Sequence, residues 1–91
     1  MSVAVSIPGP LRRYVDHAAE LEFAAGPLQT LLAHMGQTFP ALKVRLLRPD
    51  GTLMAHLAVS MRGQLVPAVA ISDTVVSDGE LLEIVFVASG G

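Results

Sequence analysis

LLEIVFVASGG, residues 81–91, holds two kinds of sequence in eleven positions. The first seven residues alternate. Leu82, Ile84 and Phe86 fall on one side, and Glu83, Val85 and Val87 on the other, which is the period of a β-strand with one buried face. The last four, Ala88, Ser89, Gly90 and Gly91, carry almost no side chain. Such an end is either an idle terminus or one whose bareness serves a purpose. Glycine lets a backbone approach a surface closely. Four extended residues reach at most about 14 Å, enough to carry a terminal carboxylate away from a folded body.

The remaining composition bounds what that body can be. The chain has 91 residues, which predicts one domain. We expect it to occupy residues 1–87, with 88–91 as a flexible C-terminal Gly-Gly tail. Apolar residues make up 52% and the mean hydropathy is +0.55, more than a small core needs. The surplus predicts an apolar contact patch. Its candidate members are Val85, Val87, Ala58 and Met54, with Phe86, Ala88 and Ser89 at the neck of the tail. The net charge is −2. Arg12 and Arg13 are adjacent but form no stripe for a phosphate backbone, so nucleic acid is not an expected partner. No apolar run approaches the roughly 18 residues that span a bilayer, and MSVAVSIPGP lacks the basic start of a signal peptide. A soluble cytoplasmic protein with no membrane partner is the expectation. There is no cysteine, which excludes disulfides, thiolate metal sites and cysteine nucleophiles.

Upstream, SVAVSI places Val3, Val5 and Ile7 on one face of a strand that Pro8, Gly9 and Pro10 end. LRRYVDHAA reads as a loop, and ELEFAA as a second strand with Leu21 and Phe23 inward. The clearest helix follows. Gly26 is read as its N-cap, Pro27 as its first residue, Gln29 as a capping-box position and Gly36 as its C-cap. Leu28, Leu31, Leu32 and Met35 make one apolar face. ALKVRLL fits a helical turn or a strand. Asp50-Gly51 marks a turn. TLMAHLAVSM alternates as one strand with Leu53, Ala55, Leu57, Val59 and Met61 against Met54, His56, Ala58, Ser60 and Arg62. Arg62-Gly63 makes a tight turn. QLVPAVAI is a weak strand or loop, and SDTVVSDGE a turn-rich connection. The order predicts an α+β fold, a mixed sheet of four to five strands with one main helix packed across it. The C-terminal strand would lie centrally, beside the N-terminal hairpin, with the tail leaving the sheet from its edge.

These residues resemble the ThiS/MoaD family of ubiquitin-like, β-grasp sulfur carriers. The marks are VSIPGPLRRYV at the start, the Asp73-Thr74 pair, the Asp78-Gly79 turn before the last strand, and Gly90-Gly91. Two positions depart from the family pattern: Arg62-Gly63 stands where Asn-Gly is frequent, and Phe86 where the last strand often runs through proline. The resemblance implies a protein co-substrate, not an enzyme. Its Gly91 carboxylate, with Gly90 behind it, would be adenylated by a partner resembling the ubiquitin-activating enzymes, of the ThiF/MoeB type. A sulfur nucleophile would then displace AMP to leave a thiocarboxylate for a sulfur-accepting synthase. ATP, with Mg, would be used by the partner, and the chain itself would bind no cofactor.

Other chemistries fit less well. Gly-Gly ends about 0.5% of chains by chance, so the pair counts only together with the fold order. His17, His34 and His56 lack ligand spacing, and no metal site is expected. No nucleophile-elbow motif surrounds any serine. Glu80 and Glu83 read as a solvated edge beside the tail or as salt bridges to a partner, and Arg12 and Arg13 as contacts for an acidic surface or as a solvated loop. Two alternatives to the carrier stand: a ubiquitin-like modifier joined to targets through Gly91, and a β-grasp interaction subunit whose tail is never activated.

Overall fold

The computed structural model describes residues 1–87; the expected tail, 88–91, lies outside the described residues. Five strands form the main sheet: β1 (Ser2–Ser6), β2 (Glu20–Ala24), β4 (Leu57–Met61), β5 (Gln64–Val66) and β7 (Leu81–Phe86). A two-residue pair, β3 (Gly26–Pro27) with β6 (Val75–Val76), stands apart. Helices α1 (Leu28–Thr38) and α2 (Pro40–Leu46) fill the middle of the chain.

The sheet order is β2-β1-β7-β4-β5. β1 and β7 are parallel, and every other pairing in it is antiparallel. The last strand is therefore central and next to the N-terminal hairpin, as expected. The departure of the tail from the sheet edge, also expected, lies outside the described residues. Pairing between β1 and β7 stops at Ser6 opposite Glu83. β4 continues alongside β7 as far as Leu57 opposite Phe86. From Ile84 onward, then, β7 is paired on one side.

The core forms between the inward face of this sheet and α1. Val3, Val5, Val59, Leu82 and Ile84 meet Leu28, Leu31, Leu32 and Met35, all buried, which is the helical face read from the sequence. Leu42 and Leu46 of α2 close one side. ALKVRLL is thus helical, with Pro40 at its first turn, where the missing N–H costs nothing.

The caps of α1 differ from the expected ones. Gly26, at φ 147°, and Pro27 belong to β3, and Pro27 is the N-cap. The first free N–H of the helix, at Leu28, is satisfied by the carbonyl of Thr74 at 2.9 Å. The Gln29 side chain bonds the carbonyl of Gly51 at 2.9 Å and makes no capping box. Gly36 lies inside the helix and is buried; a Cβ there would meet Lys43 Cγ at 3.0 Å, so its bareness sets how closely α2 approaches α1. Helix α1 ends at Phe39 instead, whose N–H reaches the carbonyl of Met35.

Two loops gain structure. LRRYVDHAA begins as a 3-10 turn within Gly9–Tyr14, pinned by Arg12 Nε donating to the carbonyl of Ile7 at 2.8 Å. AVAISD forms a second 3-10 segment, Ala68–Asp73.

Candidate docking face and the root of the C-terminal segment

Sheet pleating decides which residues lie away from the helices. Val85 pairs with Ala58 across β7 and β4, and both are half-buried on the outer face. This part of the expected patch is brought together. Leu81 and Leu65, exposed by 46% and 56%, stand on the same face, and Ala4 lies opposite Leu81. Leu81 was legible, since it shares the parity of Glu83 and Val85. Leu65 was missed because β5 reads as a weak strand. Glu83, with Glu20 and Glu22 of β2, puts carboxylates on this outer face among the apolar side chains.

Met54 does not join the patch. TLMAHLAVSM is not one strand. Leu53 makes an isolated bridge to Leu47, Met54 donates its N–H to Leu46, and Leu57 donates its own to Met54 at 3.0 Å. That turn breaks the alternation, and Met54 packs half-buried against the core. It lines a cleft of about 510 Å³ with Leu57, Ala58, Val66, Val69 and Ile71. Three of the polar side chains at that cleft, Gln29, Asp50 and Thr52, are already engaged within the fold, while Arg48 lines it with no side-chain hydrogen bond among the described residues. Gln29 holds Gly51, and Asp50 Oδ1 accepts from the Thr52 hydroxyl at 2.6 Å and its N–H at 3.0 Å. The Thr52 hydroxyl bond, more than the N–H, holds the Asp50 carboxyl below its usual range.

Phe86 shares the inward parity of Leu82 and Ile84, yet it is 45% exposed, unlike those two. Its ring stacks on His56, with centroids 5.9 Å apart and planes at 21°. The half-buried Val87 donates its N–H to the carbonyl of His56 at 3.0 Å. Gly91, Gly90, Ser89 and Ala88 lie outside the described residues.

The tail beside which Glu80 is expected lies outside the described residues. Glu80 begins the approach to β7, at the end opposite Val87, and pairs with Arg62 of the β4–β5 turn. Its other oxygen accepts the Ser77 N–H at 2.9 Å. Next to it, Asp78 Oδ1 accepts the Ser2 N–H at 2.7 Å, and Gly79 donates to the Ser2 carbonyl. The Ser2 N–H is the main cause that lowers the Asp78 carboxyl. The Asp78-Gly79 turn thus ties the start of β1 to the start of β7. Arg62 and Gly63, at φ 53° and 77°, form the two-residue hairpin turn expected of them. Among the described residues no three potential metal ligands cluster, and no helix is long and apolar enough to cross a membrane.

No protein-family model matches the sequence, and no curated protein matches it. Solved structures do. SAMP1 from Haloferax volcanii superposes with a TM-score of 0.79 at 19% identity, covering 100% of both chains. A chain of the Amycolatopsis orientalis BexX/CysO complex gives 0.81 at 24% identity, over 98% of this chain and 99% of that one. CysO of Mycobacterium tuberculosis gives 0.81 at 20% identity, over 94% and 99%. The chain has the β-grasp fold, and the likeness to ThiS/MoaD-type proteins holds at the level of that fold.

Proposed function

We propose that the chain is a ubiquitin-like sulfur carrier whose Gly91 carboxylate is the reacting group. The observation that carries this reading is the Ala-Ser-Gly-Gly end following the central strand of a β-grasp sheet. An α-carboxylate is ionised at neutral pH, with a pKa of about 3.3–3.7, and is a poor acyl donor. One of its oxygens would attack the α-phosphorus of ATP and release pyrophosphate. Hydrosulfide would then add at the carbonyl carbon and expel AMP, leaving a thiocarboxylate. The ATP, Mg and catalytic groups are assigned to a ThiF/MoeB-type adenylyltransferase, and the sulfur to a synthase that makes cysteine, thiamin, molybdopterin or a similar metabolite. The outer face around Val85, Ala58, Leu81 and Leu65 is the docking surface of this reading, and the cytoplasm its location. The solved Amycolatopsis chain with the same fold belongs to a two-protein BexX/CysO complex, which supports a life with a partner.

The second reading is a modifier joined through Gly91 to an amine. It is favoured by a specific likeness. The small archaeal modifier protein 1 of Methanosarcina acetivorans shares the fold with a TM-score of 0.81 at 20% identity. The two readings diverge at the nucleophile that displaces AMP.

Intact mass after incubation with ATP, sulfide and the adenylyltransferase tests them. Exchange of one oxygen for sulfur in the C-terminal peptide is the expected result. Mass gained by a lysine-bearing target instead supports the modifier. Deleting residues 88–91 should abolish either product and leave Tm within about 2 °C, since every buried apolar side chain among the described residues lies between Val3 and Ile84. Neither product, from wild type that does release pyrophosphate, sinks both readings.

A further inference from the structure

We propose that His56 is a positioning residue, clamping the last two residues of the folded body and so fixing where the C-terminal segment departs. This rests on the carrier reading for its consequence, though not for its geometry. β1 lets go of β7 at Glu83, so Ile84 to Phe86 hang on β4 alone. Beyond Leu57, the last β4 residue of the ladder, the chain turns at His56. That residue holds its neighbours in two ways, through the ring stack on Phe86 and the carbonyl bond from Val87. The stack joins two exposed rings at the end of the sheet. It fills no core. Its effect is to keep Phe86 and Val87 against β4.

The consequence is one of length. With Phe86 and Val87 held, four residues separate the body from the end of the sequence; with both released, six do. A chain lengthened from four to six residues delivers its end to a fixed point about half as often, by the −3/2 power of length. The carboxylate would then meet an activating site less often while the docking face is untouched.

The test compares H56A with H56F in the full chain. The H56F ring preserves the stack and acts as the rescue. The first readout is amide hydrogen exchange of the isolated protein by NMR. Val87 should lose protection about threefold to tenfold in H56A, as expected for one aromatic pair, while amides in the centre of β1 and β4 keep theirs and H56F matches wild type. The second is pyrophosphate exchange driven by the adenylyltransferase. H56A should lower kcat by up to about twofold, the limit for full release, at unchanged KM, and H56F should restore it. Partial unfolding would act otherwise, raising KM and exposing every amide together. Equal Val87 protection in wild type and H56A overturns the clamp, as does a loss of protection spread over the whole sheet. If wild type is not adenylated at all but Val87 responds as stated, the clamp stands and the carrier reading is what fails.

Discussion

Glu80 gives the sharpest test of the packing. Its side chain is 12% exposed and that of its partner Arg62 76% exposed. The pair therefore belongs between two regimes. Exposed ion pairs couple by about 0.2–1 kcal/mol, and breaking a buried pair by removing one partner costs about 3–5 kcal/mol. A double-mutant cycle of R62A and E80Q should give a coupling of about 1–2 kcal/mol. Arg62 sits at φ 53°, and alanine keeps a Cβ there, so backbone strain cancels in R62A. Glutamine at 80 still accepts the Ser77 N–H, so the cycle isolates the charge. Each single variant should lower Tm by roughly 5–15 °C, at about 4–8 °C per kcal/mol for a domain of this size. R62G should be more stable than R62A by up to about 1 kcal/mol, because glycine takes the left-handed turn freely. Urea unfolding at neutral pH, with equal m-values required of all variants, measures every term. Additivity within about 0.3 kcal/mol would refute the pairing and return Glu80 to the groups free to meet a partner.

Other expectations follow from single contacts. Leu32 is fully buried between α1 and the sheet, so L32A should cost about 3–5 kcal/mol of a total stability near 5–14 kcal/mol for this length; denaturant titration measures it, and a loss under about 1 kcal/mol contradicts the packing. Asp78 has its pKa lowered on folding, chiefly by the Ser2 N–H. Its contribution is present above the unfolded value of about 3.9 and is lost as pH falls through the lower folded value. D78N should flatten the acid limb of a Tm–pH curve, and an unchanged limb would show that the Ser2 contact does not persist in solution. V85E puts a charge on the outer face opposite Ala58. Its circular dichroism should match wild type while affinity for the adenylyltransferase falls tenfold or more, as for a central interface anchor; unaltered affinity places docking elsewhere.

Residues that interact with near neighbours were legible in the sequence. The Leu28, Leu31, Leu32, Met35 face follows from helical period. The alternation of Val3 and Val5, or of Leu82 and Ile84, follows from strand period. The Arg62-Gly63 turn joins Met61 to Gln64 over two residues. The order of elements, with the family resemblance, was enough to expect a β-grasp sheet and a central last strand. The Gly90-Gly91 proposal also came from the sequence, and it lies outside the described residues.

Tertiary structure decided what depends on partners far apart in the chain. The bond from Ser2 to Asp78 spans 76 positions, and nothing in either local pattern specifies it. Thr74 caps α1 from across the fold because Val75–Val76 pairs with Gly26–Pro27, so the cap read from adjacent residues was the wrong one. Met54 kept the parity of a strand in sequence, but its N–H is taken by Leu46 and the ladder begins only at Leu57. Phe86 kept the parity of the core and still faces water, because Leu82 and Ile84 are covered by the helical layer and Phe86 is not. Periodicity assigns a side chain to a face; only the extent of the layer packed on that face determines whether the side chain is buried.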